Sequence, residues 1–277
     1  MSSGFIDLCV NPTNNDPNSL RTILQKLYEL GFRTVAINST FDDSALEVDK
    51  KRKKKDEKQV ASNVVTNFEP LNIDTLIKEY KGRMQILSKV TIVCSDPGKL
   101  HILSRSVKPQ RFNLYSIAPM TQNALQFVCS QAPADVIAIR PSATGLKLNK
   151  KLYDQAVERG LHFEIQYSDL LDPETRKFAI HYAHLFHTYG RSKNVILTSG
   201  ASEARMTRSP YDLINLCFLL GLNEAKAKAS ILQQCRILLL KAERRRRGKA
   251  VFAIKDVKPS SVDINSSFTS SSKRIKH

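Results

Sequence analysis

The sequence predicts an α/β protein in which parallel strands alternate with helices and close into a single barrel. Short runs of apolar, β-forming residues alternate with helical patterns that begin at clear N-caps, and at least seven such strands recur along the 277 residues. No dinucleotide-binding glycine motif follows the first strand. Because strands joined by capped helices form parallel sheets, we expect a (β/α) TIM-like barrel rather than an open sheet.

The strand and helix pattern can be followed along the chain. Residues 4–11 form a short buried strand, and an amphipathic helix completes the first unit. The other predicted strands lie at residues 33–38, within 84–93, and at 112–118, 135–139, 162–167 and 194–198. Thr121 and Asn149 are predicted N-caps of the helices after the fourth and fifth strands. One long final helix is expected from Asn223 into the four arginines at 244–247, with its basic end projecting beyond the barrel.

Two segments depart from this pattern. Residues 41–70 are polar and weakly periodic, which predicts a flexible insertion between a strand and its helix. Residues 246–277 are first basic and then rich in serine and poor in apolar residues, which predicts a disordered tail. The predicted domain organisation is therefore a barrel over residues 1–245 that carries this insertion, followed by the C-terminal tail.

The positive charge of the chain is concentrated in short segments. The formal net charge is +17 and the pI is near 9.7. Residues 50–58 and 241–249 each carry a net charge of +5, and Lys273, Arg274 and Lys276 add +3. Such clusters indicate a polyanionic partner or a nuclear import signal. A solvated loop without a partner is the simplest alternative.

Several functional classes are not expected from this sequence. No run of 18 apolar residues is present, and the first residues lack the basic and then apolar pattern of a secretory signal, so we expect an intracellular protein without a membrane partner. The five cysteines show no CxxC spacing and are expected to be reduced and buried. His181, His184 and His187 recur on one helix, but spaced histidines alone do not complete a metal coordination shell.

The strand ends that carry the active site in barrel enzymes lack histidine here. A hydrolytic metal needs several nitrogen or oxygen ligands and an open position for water. Only Asp7 and Glu164, on the first and sixth strands, offer carboxylates at or inside the barrel. They could hold a weak metal or act as an acid–base pair. They could instead pair with a basic neighbour such as Arg140 or accept backbone hydrogen bonds.

The segment after the seventh strand has the features of an anion site. Residues 198–212 combine a hydroxyl-rich turn with Arg205 and Arg208, just before the N-terminus of a helix. Backbone N–H groups, the helix dipole and guanidinium groups together favour an anion. A nucleic-acid phosphate, a carboxylate of a partner or simple salt bridges with neighbouring loops would all fit.

Four of these segments together resemble one protein family. They are Phe-Ile-Asp-Leu-Cys-Val-Asn-Pro at the first strand, Val-Ile-Ala-Ile-Arg-Pro-Ser at the fifth, Phe-Glu-Ile-Gln-Tyr-Ser-Asp-Leu-Leu at the sixth, and Val-Ile-Leu-Thr-Ser-Gly-Ala-Ser with a later Pro-Tyr-Asp-Leu at the seventh. In this order they resemble the TIM-barrel protein subunit of ribonuclease P and ribonuclease MRP. The resemblance covers residues 4–245.

The resemblance implies a relative of the PHP metallophosphoesterases that lacks their metal ligands. Those enzymes carry Asp-Leu-His-x-His on the first strand, and Asp and His in a late loop. Here the two histidine positions are Cys9 and Asn11, and the late loop reads Ser-Gly-Ala-Ser at residues 199–202. A non-catalytic subunit is implied, with no cofactor on the protein and with Mg²⁺ on the RNA component that carries out the chemistry.

The resemblance also implies partners and a location. The partners are the catalytic RNA of ribonuclease P and MRP, other protein subunits including a small α/β subunit, and, indirectly, precursor tRNA. The activities supported are removal of tRNA 5′ leaders and processing of precursor rRNA, in the nucleus and nucleolus. The candidate RNA-binding residues are Arg140, Lys147, Arg205, Arg208, Arg244, Arg245, Arg246 and Arg247. The alternative function is a residual metal-dependent phosphoesterase that uses Asp7 and Glu164.

Overall fold

The fold is a barrel of parallel strands surrounded by helices. In this computed structural model, residues 4–12, 17–43, 72–100, 109–143 and 145–248 are described. The strands are β1 (Phe5–Val10), β2 (Phe32–Asp42), β3 (Gln85–Cys94), β4 (Leu114–Pro119), β5 (Val136–Ala138), β6 (His162–Gln166) and β7 (Val195–Thr198). Each strand pairs in parallel with the next along the chain, which confirms the predicted (β/α) TIM-like fold.

Helices connect the strands and cover the outside of the barrel. They are α1 (Pro17–Glu29), α2 (Asp74–Glu79), α3 (Gln122–Ser130), α4 (Lys150–Glu158), α5 (Ser168–Leu171), α6 (Arg176–Gly190), α7 (Pro210–Leu219), α8 (Glu224–Ile231) and α9 (Gln233–Arg247). Thr121 and Asn149 accept hydrogen bonds from the backbone N–H groups of Ala124 and Leu152, so both predicted N-caps are confirmed.

The first and last strands meet at one end of the barrel. The backbone N–H of Gly200 donates to the carbonyl of Cys9 (2.8 Å), and the N–H of Asn11 donates to the carbonyl of Ala201 (2.9 Å). Val10 and Ala201 form an isolated parallel bridge. These contacts lie where β1 and β7 end, so the barrel is nearly closed at what we call its C-terminal end.

Helix α9 covers the opposite end, which we call the N-terminal end of the barrel. An apolar cluster inside the barrel joins α9 to six of the strands. Its members are Ile6, Leu8, Ala36, Leu87, Leu114, Val136, Ile196, Cys235, Leu238 and Ala242. The strand residues of this cluster need an apolar partner to be buried, and α9 provides it. This helix is therefore part of the core of the barrel.

Polar contacts near its C-terminus also hold α9 in place. Arg245 forms an ion pair with Asp135, the residue before β5, at 2.8 Å. The carboxylate of Asp135 is 1% exposed and also accepts a hydrogen bond from the backbone N–H of Tyr115. Lys241 Nζ donates to the carbonyls of Arg159 and Gly160. Lys241 and Arg245 therefore lie against the barrel, and the prediction that the basic helix end projects beyond it is wrong for them.

Two other predicted boundaries differ from the structure. The single helix expected from Asn223 is broken at Leu232, whose φ of −131° and ψ of −78° are not helical, so that α8 and α9 are separate helices. The second strand was expected to end at residue 38 but continues to Asp42, because the pairing with β3 extends to Asp42 and Val93. Phe41 and Asp42 therefore belong to the barrel and not to the insertion.

Some predictions concern residues outside the described ranges. These include most of the insertion with its lysine run at 50–58, and the tail beyond residue 248 with Lys273, Arg274 and Lys276. Within the described ranges no helix has the length and apolar character needed to cross a membrane. All five cysteines are buried and unpaired, as predicted.

We predict that Arg245→Ala destabilises the fold by about 3 kcal/mol, because it leaves the buried carboxylate of Asp135 without its ion-pair partner. Chemical denaturation followed by circular dichroism measures this loss. The matched control is Arg244→Ala, one residue earlier and exposed, which should change stability by less than about 0.5 kcal/mol. Equal losses in the two variants would contradict the anchoring role of Arg245.

Candidate functional site

The C-terminal end of the barrel, where an active site would lie, is occupied by amide and hydroxyl side chains. Asn38 donates to Asn11 Oδ1 (2.8 Å), and Thr91 donates to Asn38 Oδ1 (2.7 Å). Asn11 in turn donates to the carbonyl of Gly200 (3.3 Å). These hydrogen bonds link β1, β2 and β3 to the loop after β7. The network stabilises the strand ends and uses the polar atoms that a ligand would otherwise contact.

A second group of polar side chains lies beside this network. Arg140, after β5, donates to Gln166 Oε1 (2.6 Å), and Gln166 Nε2 donates to Cys9 Sγ (3.3 Å). Gly200 comes so close that an added Cβ would lie 2.5 Å from Gln166 Oε1, and its φ of +61° also favours glycine. Sequence analysis offered Arg140 as a partner for the buried carboxylates, but its hydrogen bond goes to Gln166 instead.

Glu164 is paired with Lys89 inside the barrel. Lys89 Nζ lies 2.5 Å from Glu164 Oε1, and neither side chain has exposed surface. Thr198 also donates to Glu164 Oε1 (3.0 Å). Burial raises the pKa of Glu164, but the charges of Lys89 and Arg140 and the two hydrogen bonds outweigh it and hold the pKa below its ordinary value. Glu164 is therefore ionised and neutralised by a lysine.

One oxygen of Asp7 is hydrogen-bonded by backbone groups. Its Oδ1 accepts hydrogen bonds from the backbone N–H groups of Cys9 (3.2 Å) and Ser199 (3.0 Å). Burial raises its pKa to about 6, and the hydrogen bonds from Ser199 and Cys9 only partly offset this effect. Sequence analysis expected either a basic neighbour or backbone hydrogen bonds: Glu164 has the basic neighbour, which is Lys89 instead of Arg140, and Asp7 has the backbone hydrogen bonds.

The residues present do not fit a hydrolytic metal. Asp7 Oδ2 and Glu164 Oε2 are buried and accept no hydrogen bond from the described residues. These two oxygens are therefore the atoms that could bind a metal ion. However, the ammonium of Lys89 contacts one of these carboxylates and would repel a second cation. Within the described part of the chain, no group of three or more His, Cys, Asp or Glu side chains could hold a metal ion. A catalytic metal normally has three protein ligands and an open position.

The late loop at residues 199–202 closes the barrel instead of providing ligands. Ser199 Oγ donates to the carbonyl of Cys9 (2.9 Å) and accepts from the backbone N–H of Ala201 (3.1 Å). The histidines His181, His184 and His187 are exposed on α6.

The eight candidate RNA-binding residues fall into two groups at opposite ends of the barrel. Arg140, Lys147, Arg205 and Arg208 follow strands β5 and β7 and lie at the C-terminal end. Arg205 is exposed and pairs with Glu203 at 2.5 Å, whereas Arg208 donates to the carbonyls of Arg205 and Thr207. Lys147 is exposed, and its backbone is bound by the side chain of Gln122.

The other group, residues 244–247, lies at the N-terminal end on α9. Arg244 is exposed, whereas Arg245 is 18% exposed and bound to Asp135. Arg246 and Arg247 both pair with Glu243. The eight residues therefore do not form one continuous surface.

Sequence analysis missed Lys89, the residue that neutralises Glu164. The signal was present, because Lys89 is the only charged residue in strand β3 (QILSKVTIVC). A lysine in a buried strand needs a carboxylate partner, and Glu164 is the only acidic residue in β6. Matching these two charges would have predicted the pair.

We predict that Asp7→Asn changes how stability depends on pH. The folded pKa of Asp7 is near 6, compared with 3.8 for an unperturbed aspartate, so the folded chain binds this proton more tightly than the unfolded chain. The contribution of Asp7 to stability is therefore fully present below pH 4 and is lost as the pH rises through 6. Between pH 4.5 and 7.5, the stability of Asp7→Asn relative to the parent should rise by about 2 kcal/mol.

Urea unfolding of both proteins at several pH values measures this difference. The matched control is Asp74→Asn, the same substitution at a solvent-exposed position of α2. A difference between Asp7→Asn and the parent that stays constant or decreases with pH would show that Asp7 is not perturbed in this way.

Comparison with known proteins finds relatives over most of the chain. The mouse protein named Ribonuclease P protein subunit p30 is 28% identical over 266 residues, which cover 94% of this chain and 94% of the mouse protein. The Arabidopsis thaliana protein GAMETOPHYTE DEFECTIVE 1 is 38% identical over 138 residues, which cover 49% of this chain and only 24% of the Arabidopsis protein.

A solved structure and a family match extend this comparison. A chain in the cryo-EM structure of archaeal Ribonuclease P with mature tRNA has a TM-score of 0.62 and 15% identity, covering 91% of this chain and 98% of its own length. At this identity the likeness concerns the fold. Residues 4–247 match the family described as RNase P subunit p30, which includes the whole described barrel. The chain therefore belongs to the RNase P subunit p30 family.

Proposed function

We propose that this chain is a non-catalytic protein subunit of a ribonuclease P particle and supports removal of the 5′ leader from precursor tRNA. Membership of the p30 family over residues 4–247 carries this proposal. The ion pair between Lys89 and Glu164 supports the non-catalytic part, because a lysine ammonium takes the place of a metal beside the buried carboxylate. The protein then acts through its surface.

In this proposal the RNA component and its Mg²⁺ ions carry out cleavage, and the protein binds no cofactor. The protein stabilises the folded RNA through contacts with phosphates, which position a nucleic acid without reading its sequence. Precursor tRNA is contacted indirectly, through the particle. We extend the proposal to the MRP particle and precursor rRNA, and to the nucleus and nucleolus as the place of action.

Contacts with other protein subunits are also part of the proposal. Helix α7 has Tyr211, Phe218 and Leu219 exposed at 71%, 55% and 65%, and most of its residues are apolar. A mostly apolar helix is usually buried. A protein partner would therefore cover the side of α7 that carries these three exposed side chains. We propose a small α/β subunit of the particle as one such partner.

A residual metal-dependent phosphoesterase that uses Asp7 and Glu164 is the second candidate function. The buried oxygens Asp7 Oδ2 and Glu164 Oε2, without hydrogen-bond donors among the described residues, are the observation in its favour. The pair between Glu164 and Lys89 and the absence of a third ligand in the described ranges weigh against it.

Reconstitution of the particle with Asp7→Asn separates the two functions. If the chain is non-catalytic, leader removal from precursor tRNA should stay within about twofold of the parent rate, because loss of an acid–base or metal-binding group costs at least about 100-fold. Omission of the chain is the control and should lower leader removal. A rate with Asp7→Asn as low as the rate without the chain would contradict the proposed function and favour the phosphoesterase.

A further inference from the structure

The N-terminal end of the barrel holds two pockets, one on each side of α9. The first pocket has a volume of 490 Å³ and is lined by Pro133, Ala134, Asp135, Arg159, Leu161, Lys241, Arg244, Arg245 and Gly248. The second has a volume of 250 Å³ and is lined by Ile6, Thr34, Gln85, Leu87, Asn113, Arg236, Leu239, Leu240, Glu243, Arg246 and Arg247. We call the two pockets and the helix between them the basic end.

The basic end has a strong excess of positive charge. Seven lysine or arginine side chains line the two pockets, against the two carboxylates of Asp135 and Glu243. Only one of these carboxylates, that of Glu243, is in the second pocket, where it contacts both Arg246 and Arg247. A net positive charge of this size on one surface attracts a polyanion that comes within about one Debye length of it.

Structural roles account for some of these side chains but not for all of them. Arg159 donates to the carbonyls of Val128, Cys129 and Ala132 at the end of α3. Arg245 is held by Asp135. In contrast, the guanidinium of Arg244 is exposed and has no hydrogen-bond or ion-pair partner within the described ranges.

Two further arginines of the basic end have guanidinium N–H groups that are available to a ligand. Arg247 is 65% exposed although it contacts Glu243. The Nε of Arg236 is buried in the second pocket and finds no acceptor among the described residues. The helix dipole does not account for them, since Arg236 lies in the first turn of α9 and Arg247 is one of four arginines in its last turn.

The C-terminal end of the barrel differs in how its basic side chains are paired. Its basic side chains are largely engaged: Arg140 with Gln166, Arg205 with Glu203, and Arg208 with backbone carbonyls. Carboxylates also follow four of the strands at this end. They are Asp43, Asp96, Asp169, Asp172 and Glu203. An RNA backbone would therefore meet repulsion there as well as attraction.

We propose that the phosphate backbone of RNA binds across the basic end, with Arg244, Arg247 and Arg236 as the contacting residues and Arg245 as a positioning residue that holds α9. This inference rests on the proposed function and names the surface by which the subunit contacts its RNA. In this proposal Arg140, Lys147, Arg205 and Arg208, which sequence analysis also named as candidates, do not contact the RNA.

Salt-dependent binding of the transcribed RNA component to the full-length chain tests this surface. The variant is Arg244→Gln with Arg247→Gln, and the control is Lys147→Gln with Arg205→Gln, which removes the same charge from exposed positions at the C-terminal end. Loss of two phosphate contacts should reduce the slope of log K against log salt by about 0.7 to 0.9 for each contact. The control should keep the parent slope.

Thermal unfolding of each variant checks that the fold is retained, which we expect because all four side chains are exposed. A reduced slope for the first variant alone supports the proposal. Equal reductions in both variants, a reduction in the control alone, or no reduction in either would each overturn it. In these cases, leader removal by the particle reconstituted with the parent chain still tests the proposed function separately, because that assay does not depend on which surface binds RNA.

Discussion

The interior of the barrel depends on the ion pair between Lys89 and Glu164. An ionised carboxylate with no access to water needs a compensating charge nearby, because an unpaired buried charge costs several kcal/mol. A metal ion provides that charge in hydrolytic barrels. Here the ammonium of Lys89 provides it from β3, while Asp7 is accommodated by backbone N–H groups and a raised pKa. The interior is therefore neutralised by the chain itself.

Helix α9 connects the stability of the barrel with its outer surface. Cys235, Leu238 and Ala242 on one side of the helix complete the apolar cluster inside the strands. The basic residues near its C-terminus then lie at fixed positions around the N-terminal end. Neighbouring residues on a helix point in directions about 100° apart, which is why Arg245 can bind the buried Asp135 while Arg244 stays exposed. A single run of arginines thus combines a structural contact with a candidate RNA contact.

Local patterns in the sequence were enough to predict the repeated strands and the N-caps at Thr121 and Asn149, because each depends on a few neighbouring residues. The partners inside the barrel could not be predicted in the same way. Lys89 and Glu164 are 75 residues apart, and Arg245 and Asp135 are 110 residues apart. The position of α9 was also missed, since a run of arginines alone does not distinguish a helix that leaves the barrel from one that crosses its end.

The most direct measurement is a double-mutant cycle on the unfolding free energy of Lys89→Met, Glu164→Met and the double variant, each with and without a chelator of divalent ions. If Lys89 neutralises Glu164, Lys89→Met alone should lose about 3–5 kcal/mol, and the double variant should recover most of that loss. The chelator should have no effect on the parent. Little loss for Lys89→Met, or a parent chain that the chelator destabilises, would contradict the account and indicate that another cation neutralises the interior.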